Sequence, residues 1–166
     1  MITAMSDTSV LPGSLTVRTL FEDLLGRDVT VGPGDPLTAD DLPTATVAIY
    51  TDNAQQIYCV LGMQLSLAAN VGAALGLLPP GAAEDSIDEK TLFPNLAENV
   101  FELCNVLTSL LNREGAPHVR LHQVIYPGMA LPTDARAHLL ALGRRLDLTI
   151  EVSRYGKGRL SLSLAP

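Results

Sequence analysis

The sequence predicts an α+β domain, built of mixed α/β layers in which a largely antiparallel sheet carries long helices packed on it. Apolar residues make up 47% of the 166 positions and charged residues only 17%, a balance that suits one packed core rather than disorder. The apolar period changes along the chain in the order helix, strands, two helices, strand, helix, two strands. Two pairs of β-rich runs are separated by short polar turns, the spacing of antiparallel hairpins. Helices layered on such a sheet bury the apolar faces of both.

Residues 1–13 read as a flexible polar leader closed by Pro12-Gly13, and residues 14–166 as one domain. Ser14 is the expected N-cap of a helix that runs through Leu15, Thr19, Leu20 and Leu24-Leu25 to Gly26. Val29-Thr30-Val31 is a strand, and 32–43 is a loop rich in proline, glycine and aspartate. Runs 45–50 and 56–61 form a hairpin about Thr51-Asp-Asn-Ala-Gln55. A helix over 64–77 follows, stopped by Pro79-Pro80-Gly81, and its Ala and Gly content predicts close packing against a neighbour. Residues 82–89 read as an exposed acidic linker. A long helix then extends from near Asp88 to Asn112, with Pro94 marking either a kink or the true first turn. The expected remainder is a strand over 118–126, a helix over 134–146 with Leu139, Leu142 and Leu146 on one side, and a hairpin of 148–154 and 159–164.

Eighteen acidic against eleven basic residues give a net charge of −7. That charge repels nucleic acid and anionic lipid, and no dense basic run reverses it locally. With no Trp and few aromatics, a platform for stacking bases is not expected. Cys59 and Cys104 each sit in an apolar stretch and are expected to pack as small hydrophobes; nothing near them has metal-ligand spacing. No secretory signal or membrane-spanning run is visible, so the expected location is cytoplasmic.

The unusual feature lies on the long helix. At about 100° per residue, Asn95, Glu98, Glu102, Asn105, Ser109 and Asn112 share a narrow arc, while Leu96, Val100, Phe101, Leu103, Cys104, Val106 and Leu107 fill the rest. One reading is the ordinary solvated edge of a mostly buried helix. Against it stand the three amides, which compete for backbone hydrogen bonds and disfavour helix interiors.

Glu102-Leu-Cys-Asn105 on a long central helix resembles the E-x-x-N motif of the CheC/CheX/FliY group, phosphatases of the response regulator CheY. The order of elements from Leu15 to Tyr126 is also similar: a leading helix into LLGRDVTV, a hairpin, a helix ending ALGLLP, an acidic linker, the motif helix and a strand. A single motif is present, since the leading helix has Glu22 but Leu25 where the amide would stand. This resembles CheX, with one site per chain, more than CheC, with two. Where the family usually has Asp or Ser four residues before the Glu, this chain has Glu98, and where it often has Gly four residues after the Asn, it has Ser109. A helix after Leu131, where the family continues mainly in strands, is a further departure.

The resemblance implies hydrolysis of an aspartyl phosphate on a response regulator, by a homodimer, with Asn105 positioning water and Glu102 docking the partner. Glu98, Ser109 and Asn112 become supporting partner contacts. It also implies no metal or cofactor of this chain's own, the magnesium being held by the phosphorylated partner.

Two other function classes remain open. One is a non-catalytic adaptor of the same fold that docks a receiver domain or pairs with itself. The other is a small-molecule site beside His118 and His122, which share a strand face; His138 could join them, but an exposed or hydrogen-bonded pair is the simpler reading. Tyr155-Gly-Lys-Gly158-Arg159 is better read as a hairpin turn than as a phosphate loop, because no helix follows it. Ser66, Ser86 and Ser109 lack the strand-turn-helix context of a nucleophile.

Overall fold

The structure, a computed structural model, describes residues 11–112 and 115–165. Most of the expected leader, residues 1–10, lies outside them. Helix α1 spans Ser14–Leu25, and strand β1 spans Val29–Pro33. The β2 (Thr46–Asp52) and β3 (Ile57–Met63) hairpin leads into α2 (Leu65–Leu75), α3 (Pro80–Asp88), α4 (Pro94–Val106) and the single turn α5 (Thr108–Leu111). Then come β4 (Val119–Ile125), α6 (Thr133–Leu140), β5 (Arg145–Val152) and β6 (Gly156–Leu164). The six strands form one sheet in the order β1-β5-β6-β3-β2-β4, every neighbouring pair antiparallel. The fold is α+β.

Strands β2 and β3 carry near-continuous apolar runs, Val47–Tyr50 and Ile57–Met63, because both faces of the sheet are covered there. Along β2, Ala48 and Tyr50 enter the main core with Val17, Phe21, Leu96 and Leu103. Val47 and Ile49 turn the other way, joining Val60 of β3 and Ile125 of β4 under Ala135 and Leu139 of α6. Helices α1 to α5 therefore lie on one face and α6 on the other.

The motif helix α4 is held by close helix packing, as the small residues of α2 predict. A Cβ placed on Gly72 would stand 2.8 Å from the Leu96 carbonyl oxygen, so the two backbones are nearly in contact. The Asn99 amide donates to the Gly72 carbonyl across the same crossing (2.9 Å).

Four expectations are corrected. Gly13, not Ser14, is the N-cap of α1, and its buried stripe is Val17, Phe21 and Leu25, which leaves Leu15 exposed. The acidic linker is mostly the helix α3, because Pro80 sits in the first turn, where its missing N–H costs nothing. The long helix has Pro94 in its true first turn, one of the two expected alternatives, but it ends at Val106 instead of running to Asn112. The turn before it is tied by Ser86, whose Oγ donates to Thr91 O and accepts from Phe93 N–H.

The fourth concerns the helix expected over 134–146, which stops at Leu140. Arg145 already belongs to β5, and its guanidinium donates to the carbonyls of Leu139 (3.0 Å) and Ala141 (2.5 Å), closing the helix end. Leu142, read as a core position, is exposed.

The loop after β1 straps the outer face of β5 and β6. Asp147 accepts two hydrogen bonds from Arg145 (2.8 and 2.9 Å) and one from Ser161 Oγ (2.7 Å), which in turn accepts the Leu37 N–H (3.0 Å). Arg159 grips both carboxylate oxygens of Asp41 at 3.0 Å. Burial works to raise both carboxyls but is outweighed: Arg145 and Ser161 hold Asp147, and Thr38 and Arg159 hold Asp41, below the ordinary aspartate value. Both therefore titrate lower folded than unfolded. Their stabilisation is complete above the unfolded value of about 3.9 and drains away as pH falls through the folded values. Asp147→Asn is expected to cost about 1–2 kcal/mol at pH 7 and to flatten the acid limb of a urea-unfolding series; an unchanged acid limb contradicts this role.

Candidate functional site

Helix α4 buries Leu96, Val100, Leu103 and Cys104 at i, i+4, i+7 and i+8, so the opposite face must meet solvent. Glu98, Glu102 and Asn105 are exposed on that face, and Ser109 continues it on α5. Among the described residues none of the side chains of Glu98, Glu102 and Asn105 takes part in a hydrogen bond or ion pair. A carboxylate and an amide less than one turn apart thus stand open to an incoming group.

Phe101 stands with them at 46% exposure. Reading it as one of the apolar residues of the buried sides missed this. Its place three residues after Glu98 and four before Asn105 put it beside the polar line. An exposed phenyl among carboxylates and an amide is the composition of a protein-docking surface, with an aromatic anchor and a polar surround.

Asn112 does not share this freedom. Its amide donates to the Val119 carbonyl (2.8 Å) and accepts the Val119 N–H (2.7 Å), so it joins the end of α5 to the start of β4. Asn95, also exposed, turns its side-chain oxygen to the Leu96 N–H in the first turn.

Beside the stripe lies an apolar groove of about 700 Å³ between α1 and the junction of α4 with α5. Leu15, Leu20 and Leu24 form one wall, Val106, Ser109 and Leu110 the other, and Asp23 lies at its rim.

The remaining titratable groups are dispersed. Cys59 and Cys104 are free and fully buried, and burial pushes the Cys104 thiol up to about 12, so neither is a nucleophile at neutral pH. His118 precedes β4, and His122 sits where the β2–β4 register shifts, in a cavity of about 180 Å³ with Thr51, Gln123 and Asp134. His138 is on α6, lining an adjoining cavity with Arg144 and Asp52; Gln55, Ile57 and Asp134 line both. Among the described residues no three His, Cys, Asp or Glu are grouped to hold a metal ion, and no helix is long and apolar enough to cross a membrane. Ser153 to Tyr155 turn the β5–β6 hairpin, earlier than the expected Tyr155–Gly158, because Gly156, Lys157 and Gly158 already pair with Val152, Glu151 and Ile150 of β5. Arg27 stacks 4.8 Å from the Tyr155 ring.

No protein-family model and no curated protein matches the sequence. Solved structures do match the fold. A chain of the FliM–SpeE complex from H. pylori superposes with a TM-score of 0.62 at 9% identity, over 91% of this chain and 80% of that one. FliY of Thermotoga maritima superposes with a TM-score of 0.51 at 12% identity, over 89% of this chain and 81% of its own. This chain has the fold of FliY. A chain of the FliG–FliM complex from H. pylori gives 0.52 at 8% identity, over 91% and 85%. At such identities the likeness is one of fold. Within the FliY-type fold, the chemistry has to be argued from the residues of α4.

Proposed function

We propose that this protein hydrolyses the aspartyl phosphate of a CheY-type response regulator, with Glu102 docking the partner and Asn105 positioning the attacking water. The observation that carries the reading is the joint exposure of Glu102 and Asn105, less than one turn apart on a rigid helix, with the half-exposed Phe101 between Glu98 and Glu102. The fold is consistent with it.

The chemistry asks little covalent help of the protein. A water oxygen bonds to phosphorus as the acyl-phosphate P–O bond breaks, releasing the aspartate carboxylate and inorganic phosphate, which takes the water proton. What the enzyme supplies is alignment. A carboxamide both donates and accepts, so Asn105 can hold water on the line opposite the leaving oxygen. Glu102 pairs with a cationic group of the partner and sets the register. Glu98, Phe101 and Ser109 widen the contact. The magnesium needed for charge neutralisation belongs to the receiver, and the resemblance to CheX carries with it a homodimer.

The test is loss of phosphate from a CheY-type receiver, phosphorylated with acetyl phosphate in the presence of magnesium, on addition of this protein. Acceleration supports the reading; binding without acceleration leaves the adaptor of the same fold. Chains of this fold in complexes with SpeE and FliG favour that second reading. Glu102→Arg is expected to raise the KM for the phosphorylated receiver about tenfold while leaving kcat within about twofold; an unchanged KM removes Glu102 from the interface.

A further inference from the structure

We infer that Tyr50, from the buried sheet, is a positioning residue for Asn105: its hydroxyl breaks the motif helix one residue after the amide. The inference rests on the phosphatase reading and concerns how the site is held in shape. Tyr50 is fully buried on β2, and its hydroxyl donates to the Cys104 carbonyl at 2.6 Å. Burial holds its ionisation well above the usual tyrosine range, so the proton stays available for that bond.

In an unbroken α-helix the Cys104 carbonyl would receive the N–H of Thr108, and that of Asn105 the N–H of Ser109. Instead α4 ends at Val106, Leu107 forms a turn, and the chain resumes as the single turn Thr108–Leu111. The Leu110 N–H bonds the carbonyl of Leu107, three residues back, at 3.0 Å. Thr108 Oγ1 is buried there without a partner among the described residues. A side chain inserted into the ladder is a recognised cause of such an interruption. The usual helix breakers are not at this point: Pro94 is at the far end of α4, and no glycine lies between Asn95 and Asn112.

The break has two consequences for the site. Asn105 stands in the last turn of a rigid segment rather than in mid-helix. Val106, Ser109 and Leu110 face the wall of α1 across the groove at the point where the helix gives way. Removing one hydroxyl lets α4 run on into α5, turning Ser109 relative to Asn105 and narrowing that junction.

Tyr50→Phe keeps the ring and deletes only the hydroxyl. The expected result is a kcat for receiver dephosphorylation lowered about tenfold with KM changed by no more than about twofold, because Glu98, Phe101 and Glu102 keep their places and only Ser109 at the edge of the contact turns. Amide exchange by NMR should show Thr108 and Ser109 at least tenfold better protected in Y50F than in wild type. Tyr126→Phe is the control: its hydroxyl donates to Ala97 of the same helix at 3.4 Å, where no break occurs, so neither readout should move. Wild-type kcat in Y50F, unchanged protection of Thr108 and Ser109, or equal losses in Y50F and Y126F overturns the inference. A wild-type chain inert towards the phosphorylated receiver overturns the phosphatase reading and the inference with it. An active wild type matched by Y50F overturns the inference alone.

Discussion

Asn105→Ala is expected to slow receiver dephosphorylation by about 100-fold or more, with the KM and the unfolding midpoint close to wild type. The size follows from the role. A group that aligns the reacting water acts in the transition state alone, and loss of one such preorganised contact typically lowers kcat by about 100- to 1000-fold. The neutral stability follows from the surroundings. Asn105 is exposed, its amide has no partner among the described residues, and alanine is the better helix former there. Asn105→Asp sharpens the test, since a carboxylate of similar shape accepts from water but cannot donate, and it adds a negative charge beside the phosphoryl group. It should be as slow as alanine. Wild-type rates in both variants would remove Asn105 from the catalytic role.

The largest structural effect is expected at Gly72. A valine there would drive its side chain into the Leu96 backbone, whose carbonyl oxygen, Cβ and Cα lie 2.8, 3.1 and 3.2 Å from the Cβ position. Backbone cannot rotate away as a side-chain tip can, so α2 and α4 must separate, straining the Asn99–Gly72 hydrogen bond and opening the core around Leu96 and Val100. Gly72→Val should cost about 3 kcal/mol, read as a fall in the urea midpoint, and should lower phosphatase activity by displacing the motif helix. Gly81, in α3, has nothing within 4 Å of its Cβ position, so Gly81→Ala should be neutral or stabilising by a few tenths of a kcal/mol. A tolerant Gly72→Val would mean that the crossing does not hold α4 in place.

The polar line on α4 was legible because helical period alone fixes which residues share a face. For Glu98, Glu102, Asn105 and Ser109 the structure puts that face outside. Phe101 was not legible: an apolar residue at the border of the stripe looks identical in sequence whether it faces core or water. Asn112 matched the pattern but pairs with Val119 beyond the helix, and nothing in the spacing reports such a bond. The helix drawn over 134–146 shows how Leu139, Leu142 and Leu146 can keep helical spacing by coincidence. The deciding interactions are the Arg145 bonds to the α6 carbonyls and its pairing with Asp147. The break after Asn105 was illegible for the same reason, since its cause, Tyr50, lies 54 residues away in the sheet.

The most direct measurement follows the Asn105 side-chain amide resonances while a CheY-type receiver is added, first with magnesium alone and then with beryllofluoride and magnesium to mimic the phosphorylated state. The account predicts that the Asn105 amide, together with the Glu102 and Phe101 backbone signals, shifts strongly with the activated receiver and far less with the inactive one. Shifts confined to another face of the molecule, or equal shifts with both forms of the receiver, would contradict it.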